Sequence, residues 1–177
     1  MMVRERFTKE ARQAVVDAVK EAERERAPEI APRHLLLALL GSSVFEGYPL
    51  ERADVEEAFR AAGRKGGLSD ADTAALKGLG IDVDQIVDSI EQSLGEGALA
   101  AGPSRRKRWV FGRMPFGEAA QQTLVRGLRE AKDLGHKYFG EEHLVLGLLS
   151  DRGLVAEVLA ARGVDYSEIR KRAAAPA

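Results

Sequence analysis

FTKEARQAVVDAVKEAERERAPEIAPRHLLLALL, residues 7–40, returns 109 positions later as FGEAAQQTLVRGLREAKDLGHKYFGEEHLVLGLL, residues 116–149. Without a gap, Phe7 falls on Phe116, Ala11 on Ala120, Gln13 on Gln122, and Glu21 with Ala22 on Glu130 with Ala131. His34 and Leu35 fall on His143 and Leu144, and Leu39 and Leu40 on Leu148 and Leu149. Two copies are too few to stack into a solenoid. The repetition therefore predicts one compact body with two-fold pseudo-symmetry.

The periodicity is helical. Phe7, Ala11, Ala14, Val15, Ala18, Val19 and Ala22 recur at steps of three and four, as do Phe116, Ala120, Leu124, Leu128 and Ala131. Thr8 is a good N-cap for the first long helix, and Gly117 a weaker one for its twin. Pro32 suits the first turn of the next helix, whose Leu35, Leu36, Leu37, Leu39 and Leu40 predict a buried rod. VEEAFRAAG at 55–63 resembles VAEVLAARG at 155–163. Gly80-Ile81-Asp82 with Gln85, and Gly163-Val164-Asp165 with Glu168, each read as a stop glycine followed by a capped helix start.

The predicted fold class is thus all-α: two pseudo-symmetric four-helix repeats packed into a single domain spanning residues 1–177. Repeat one covers 7–94 with an insert at 64–79, in which SDADTAAL (69–76) predicts a short extra helix capped by Ser69 and Asp72. A basic linker covers 95–115, and repeat two covers 116–172.

Bulk properties narrow the function. The chain has 177 residues, 45% hydrophobic and 31% charged, with a formal net charge of −1, so no global field draws it to nucleic acid or an anionic membrane. It has no cysteine, which excludes disulfides, thiolate catalysis and Cys-ligated zinc. No apolar run approaches the ~20 residues of a membrane span. The N-terminus, MMVRERFTKE, lacks the apolar core of a secretory signal, so a cytoplasmic location is expected. No Ser/His/Asp set recurs with catalytic spacing. His34 and His143 open the leucine helices with only His136 besides them, and are read as first-turn histidines bonded to a neighbouring helix or loop rather than as metal ligands.

The opening F-[TG]-x-x-A, the later H-[LI]-[LV]-L-[GA]-L-L and the following V-x-x-x-[FL]-x-x-x-G, present twice, resemble the Clp N-terminal repeat domain of the ClpA and ClpC unfoldases that feed the ClpP protease. The resemblance covers nearly all of residues 7–172. An unfoldase needs a G-x-x-x-x-G-K-[ST] loop for its nucleotide, and none occurs here. Gly63-Arg64-Lys65-Gly66-Gly67 lacks that spacing and is read as a loop. The chain stops soon after its second repeat and so looks like a free-standing N-domain.

The resemblance implies a non-catalytic protein-binding module without cofactor or metal, acting as an adaptor or modulator of the ClpC–ClpP system. Its implied partners are Clp unfoldase or protease subunits, their adaptors or substrates, and cyclic peptides directed at ClpC. In ClpC relatives two pockets take phosphorylated arginine, using the Thr after the opening Phe and the Glu before the motif His. Carried over repeat by repeat, Thr8 is kept but Arg33 replaces Glu, while Glu142 is kept but Gly117 replaces Thr. Each pocket would then retain one half. The residue types alone also make Thr8 an N-cap and Glu142 a favourable first-turn charge. Phe7 and Phe116 would plug helix ends into the core, and the resemblance also makes Phe116 a cyclic-peptide contact.

Two other readings stay open. Arg105, Arg106, Lys107 and Arg108 beside Trp109 could serve a nucleic-acid-associated regulator through phosphate contacts and stacking; the bland reading is a solvated linker tacked down by its aromatics. A holdase independent of Clp could use apolar grooves between the repeats.

Overall fold

The computed structural model describes residues 7–64, 68, 70–95 and 114–175. Among the described residues there are nine α-helices and no strand. They are α1 (Lys9–Arg24), α2 (Pro32–Leu39), α3 (Arg52–Arg64), α4 (Asp70–Gly78), α5 (Val83–Leu94), α6 (Glu118–Asp133), α7 (Glu141–Leu149), α8 (Leu154–Ala160) and α9 (Tyr166–Ala174). A 3₁₀ turn, Ser43–Phe45, follows α2. None of these helices is long and apolar enough to cross a membrane.

Local chemistry sets the boundaries. Thr8 Oγ1 accepts the Ala11 N–H at 3.1 Å and caps α1. Pro32 occupies the start of α2, where its missing N–H leaves no bond unmade. Asp82 caps α5 by accepting from the Asp84 and Gln85 amides, and Asp165 caps α9 through the Glu168 amide. Gly80 and Gly163 turn the chain ahead of them with φ of 84° and 80°. The insert helix α4 runs to Gly78, two residues past its expected end. Gly63 and Arg64, read as loop in the sequence, complete the last turn of α3.

The chain divides into two compact units, one of Met1–Arg52 with Lys107–Ala177 and one of Ala53–Arg106. This division cuts through repeat one, leaving α1 and α2 in the unit that holds repeat two. Within that first unit, α1 packs on α2, α6 on α7, and α2 on α7. Leu35, Leu36, Leu37 and Leu39 are buried, as are Leu144, Val145, Leu146 and Leu148. Each contributes about 1.5–3 kcal/mol by leaving water, so the two leucine helices are the energetic centre. Small residues face them: Ala11, Ala14, Ala18 and Ala22 on α1, and Ala120, Thr123, Gly127 and Ala131 on α6. The buried line of α6 thus runs through Thr123 and Gly127, not through Leu124 and Leu128, which are half-buried. The reason is the close crossing of α6 and α7, where a bulky residue would not fit. In the second unit α4 packs on α5, and Arg64 of α3 pairs with Glu91 of α5 at 3.2 Å.

Candidate functional site

Two short backbone bridges cross between the repeats. The segment at Phe7 lies parallel to that at Phe139, with the Thr8 N–H donating to the Phe139 carbonyl at 2.9 Å. The segment at Ile30 lies parallel to that at Phe116. Here the Ile30 N–H donates to the Pro115 carbonyl at 2.9 Å and the Gly117 N–H to the Ile30 carbonyl at 3.0 Å. Ile30 and Phe139 are equivalent in the repeat, so the two bridges exchange under the pseudo-two-fold. A collar repeats too, since Arg12 bonds the Phe7 carbonyl and Gln121 the Phe116 carbonyl.

The start of each long helix is therefore fastened to the other repeat. This corrects the grouping of the four candidate residues. Thr8 sits with the segment leading to Glu142, and Gly117 with the segment leading to Arg33. The first corner thus has Thr8 on one side of its bridge and Glu142 three residues beyond the other; the second has Gly117 and Arg33 in those places. Sequence proximity within one repeat does not give spatial proximity when the chain crosses to its twin.

In the first corner, Phe7 and Phe139 pack ring to ring at 4.6 Å between centroids. Phe7 is half-buried and Phe139 buried. The Glu142 carboxylate folds back over Gly140, filling the space a Cβ would take there. It lies 3.8 Å from His143 Nδ1. Burial, then the hydrogen bond and charge of Glu142, push the Tyr138 phenol above its usual range.

The second corner is filled by the chain's own charges. Arg33 Nε and the guanidinium terminus reach Glu25 at 3.1 and 3.0 Å, and His34 Nε2 reaches the same oxygen at 2.9 Å. These partners, His34 first, bring Glu25 down to about 2. Glu29 lies over the start of α6, so that a Cβ on Gly117 would stand 2.5 Å from its Oε1. Phe116 is half-buried beside this corner.

Both motif histidines are fully buried and act on the backbone. His34 Nδ1 accepts the Ala31 N–H at 2.8 Å and His143 Nδ1 the Gly140 N–H at 2.9 Å, each pinning the residue just before its helix. An N–H donated to Nδ1 places the ring proton on Nε2. His143 Nε2–H then donates to His136 Nδ1 at 2.8 Å. His136, Glu142 and His143 bring three ligand-type atoms within 4.8 Å of one another, the one such cluster among the described residues. Binding a metal through Nε2 of His143 would move its proton to Nδ1, against the Gly140 N–H. The donor set does not fit a cation.

Arg105, Arg106, Lys107, Arg108 and Trp109 lie outside the described residues. Glu25, Glu29, Tyr138 and Phe139, all prominent in the two corners, escaped the sequence reading, and His136 entered it only as a possible further metal ligand. The signal that could have found Phe139 is its register with Ile30.

Residues 115–176 match the family described as Clp repeat (R) N-terminal domain. Residues 115–176 carry a Clp N-terminal repeat domain. The whole chain extends that likeness: it is 30% identical over 167 residues, 94% of its length, to the chaperone protein ClpC2 of Oryza sativa subsp. japonica, and equally to ClpC1 of Arabidopsis thaliana. Both are chloroplast proteins by name, and this chain spans 14% of the length of each. Among solved structures, the N-terminal domain of the chaperone ClpD from Arabidopsis thaliana superposes with a TM-score of 0.58 at 19% identity. That match covers 96% of this chain and 95% of the other. The Hsp104 N-terminal domain from Candida albicans gives 0.53 at 17% identity, covering 95% and 89%. The structural matches place both repeats in the Clp N-domain fold.

Proposed function

We propose that this chain is a protein-docking module that adapts or modulates a ClpC–ClpP system, and that it docks through the Thr8–Glu142 corner. A Clp N-domain is a non-catalytic module that binds substrates and adaptors of ClpC and ClpA. The observation that supports the finer reading is the crossing of the α1 start onto the loop before α7, where the Thr8 amide bonds the Phe139 carbonyl three residues before Glu142. A carboxylate grips a guanidinium while a hydroxyl and the amides of a helix start meet a phosphate. Phosphorylated arginine on a marked protein is the ligand class that such a pair suits. The Gly117–Arg33 corner offers a cation where the guanidinium would go and the Glu29 carboxylate where the phosphate would go. It is therefore closed, and the module takes one ligand per chain.

Titration calorimetry with free phosphoarginine tests this. One site per chain, lost in Glu142→Gln and weakened in Thr8→Ala, is the expected result. Two equivalent sites, or binding that survives Glu142→Gln, would overturn the assignment. Addition of the chain to ClpC and ClpP degrading a phosphoarginine-marked substrate should change the degradation rate. An unchanged rate would remove the Clp role.

A further inference from the structure

We infer that the His136–His143 pair is a proton-operated latch on the loop that carries the Thr8–Glu142 corner, releasing the start of α1 when the pair takes up an additional proton. Its consequence for docking rests on the function proposed above; the latch itself rests on geometry.

A continuous line of donors and acceptors runs through the loop. The Gly140 N–H donates to His143 Nδ1, and His143 Nε2–H donates to His136 Nδ1. One proton occupies the 2.8 Å gap between the rings. A second proton has two places to go. On His136 Nδ1 it sets two N–H groups head to head, and the rings must part. On His143 Nδ1 it faces the Gly140 N–H, and the pin at the head of α7 is lost. Either way a bond that ties residues 136–140 is broken, and the same loop supplies the Phe139 carbonyl that holds the Thr8 amide.

The surroundings offset only part of the cost of this proton, since the Glu142 and Glu130 charges favour it and burial and His136 oppose it. On α6, Glu130 is already bonded by Tyr166 at 2.5 Å and by Arg170 at 3.2 Å, both from α9. Lys132, also on α6, lines the cavity of about 220 Å³ beside His136 and adds a like charge. On α7, Glu142 lies 3.8 Å from His143 Nδ1, close enough to favour its imidazolium by charge but beyond hydrogen-bond reach, and Glu141 is bonded to Ser42. From the loop, Tyr138 stacks on His136 at 5.1 Å with rings 10° from parallel. From the segment that leads into α1 the neutral Phe7 packs on Phe139. Burial, the largest effect on His143, works against its imidazolium. The α2 side holds Arg33 and His34, both bonded to Glu25.

The twin loop lacks the device. Ala27 stands where His136 does, and His34 Nε2 faces the Glu25 carboxylate instead of a second imidazole. The Gly117 amide, held by Ile30, is thus an internal reference for the Thr8 amide.

Amide hydrogen exchange on the intact chain, read as protection factors between pH 7.5 and 5.5, tests the latch without any ligand. Thr8 protection should fall at least tenfold across this range while Gly117 protection stays within twofold. In His136→Ala, which copies the residue of the twin, the fall at Thr8 should disappear or move at least one pH unit lower. Constant Thr8 protection, parallel loss at Gly117, or an unchanged response in His136→Ala would each overturn the latch. If phosphoarginine fails to bind at pH 7.5 yet Thr8 responds, the docking proposal falls and the latch stands.

Discussion

Arg26 and Gly135 stand at equivalent positions in the two repeats, and both hold left-handed backbone, with φ of 54° and 73°. They follow α1 and α6 and send the chain into the loops that cross to the other repeat. Only glycine adopts this conformation without strain, since a side chain there costs roughly 1–2 kcal/mol. Arg26→Gly should therefore stabilise the protein, by about 0.5–1 kcal/mol after the greater freedom of glycine in the unfolded chain is counted. Gly135→Ala should destabilise it by about 1 kcal/mol, because open space surrounds the site and backbone conformation alone decides. Urea midpoints with an unchanged slope check both; a loss of stability in Arg26→Gly would show that the guanidinium matters more than the backbone.

The crossing of α6 and α7 is tighter than that of α1 and α2. A Cβ on Gly147 would meet the Thr123 carbonyl oxygen, and one on Gly127 would stand 2.7 Å from the His143 carbonyl oxygen. Backbone oxygens cannot rotate away, so Gly147→Ala should cost about 1–3 kcal/mol. The twin positions already carry Ala18 and Ala38. Ala38→Gly should cost only the helix propensity, about 1 kcal/mol or less. Thermal or urea unfolding of the pair distinguishes packing from propensity; equal losses would mean that the closer approach carries no energetic weight.

Acid should weaken the fold in two stages. Burial holds His143 below its usual range, so the unfolded chain takes up that proton first and stability declines as pH falls below about 6.5. Glu25 works at lower pH. With its carboxyl at about 2 against 4.5 unperturbed, its contribution is complete above 4.5 and is lost as pH falls through about 2. The side chain is 35% exposed, and solvent screening leaves roughly 1 kcal/mol of this. Glu25→Gln should be less stable by that amount at pH 7 and equal to the parent near pH 2, while the decline below pH 6.5 remains. A Glu25→Gln variant parallel to the parent at all pH would remove the carboxylate from the account.

Much of the helix map was legible because its signals are short-range. Thr8, Pro32, Asp82, Asp165, Gly80 and Gly163 each act within a turn of the backbone, and each sits where its chemistry requires. The buried leucine helices followed from being apolar on every face. The stripe of α6 was misplaced by one position because Leu124 outranks Thr123 in hydrophobicity, whereas the crossing selects for size. The sites were read less well. Thr8 and Glu142 were assigned to different pockets, since repeat membership was the only guide to proximity, whereas the Thr8 amide bonds the Phe139 carbonyl three residues before Glu142.

Residue order by itself determined the duplicated helices, their caps and the identity of the buried rods, because those depend on neighbours three or four positions apart. Tertiary structure alone decided which half of each repeat faces which. The Thr8 amide finds the Phe139 carbonyl and the Gly117 amide finds Ile30 across long stretches of chain, and a backbone donor is the same in every residue that carries one. The placement of Glu29 over Gly117, and of His136 against His143, depends on those crossings.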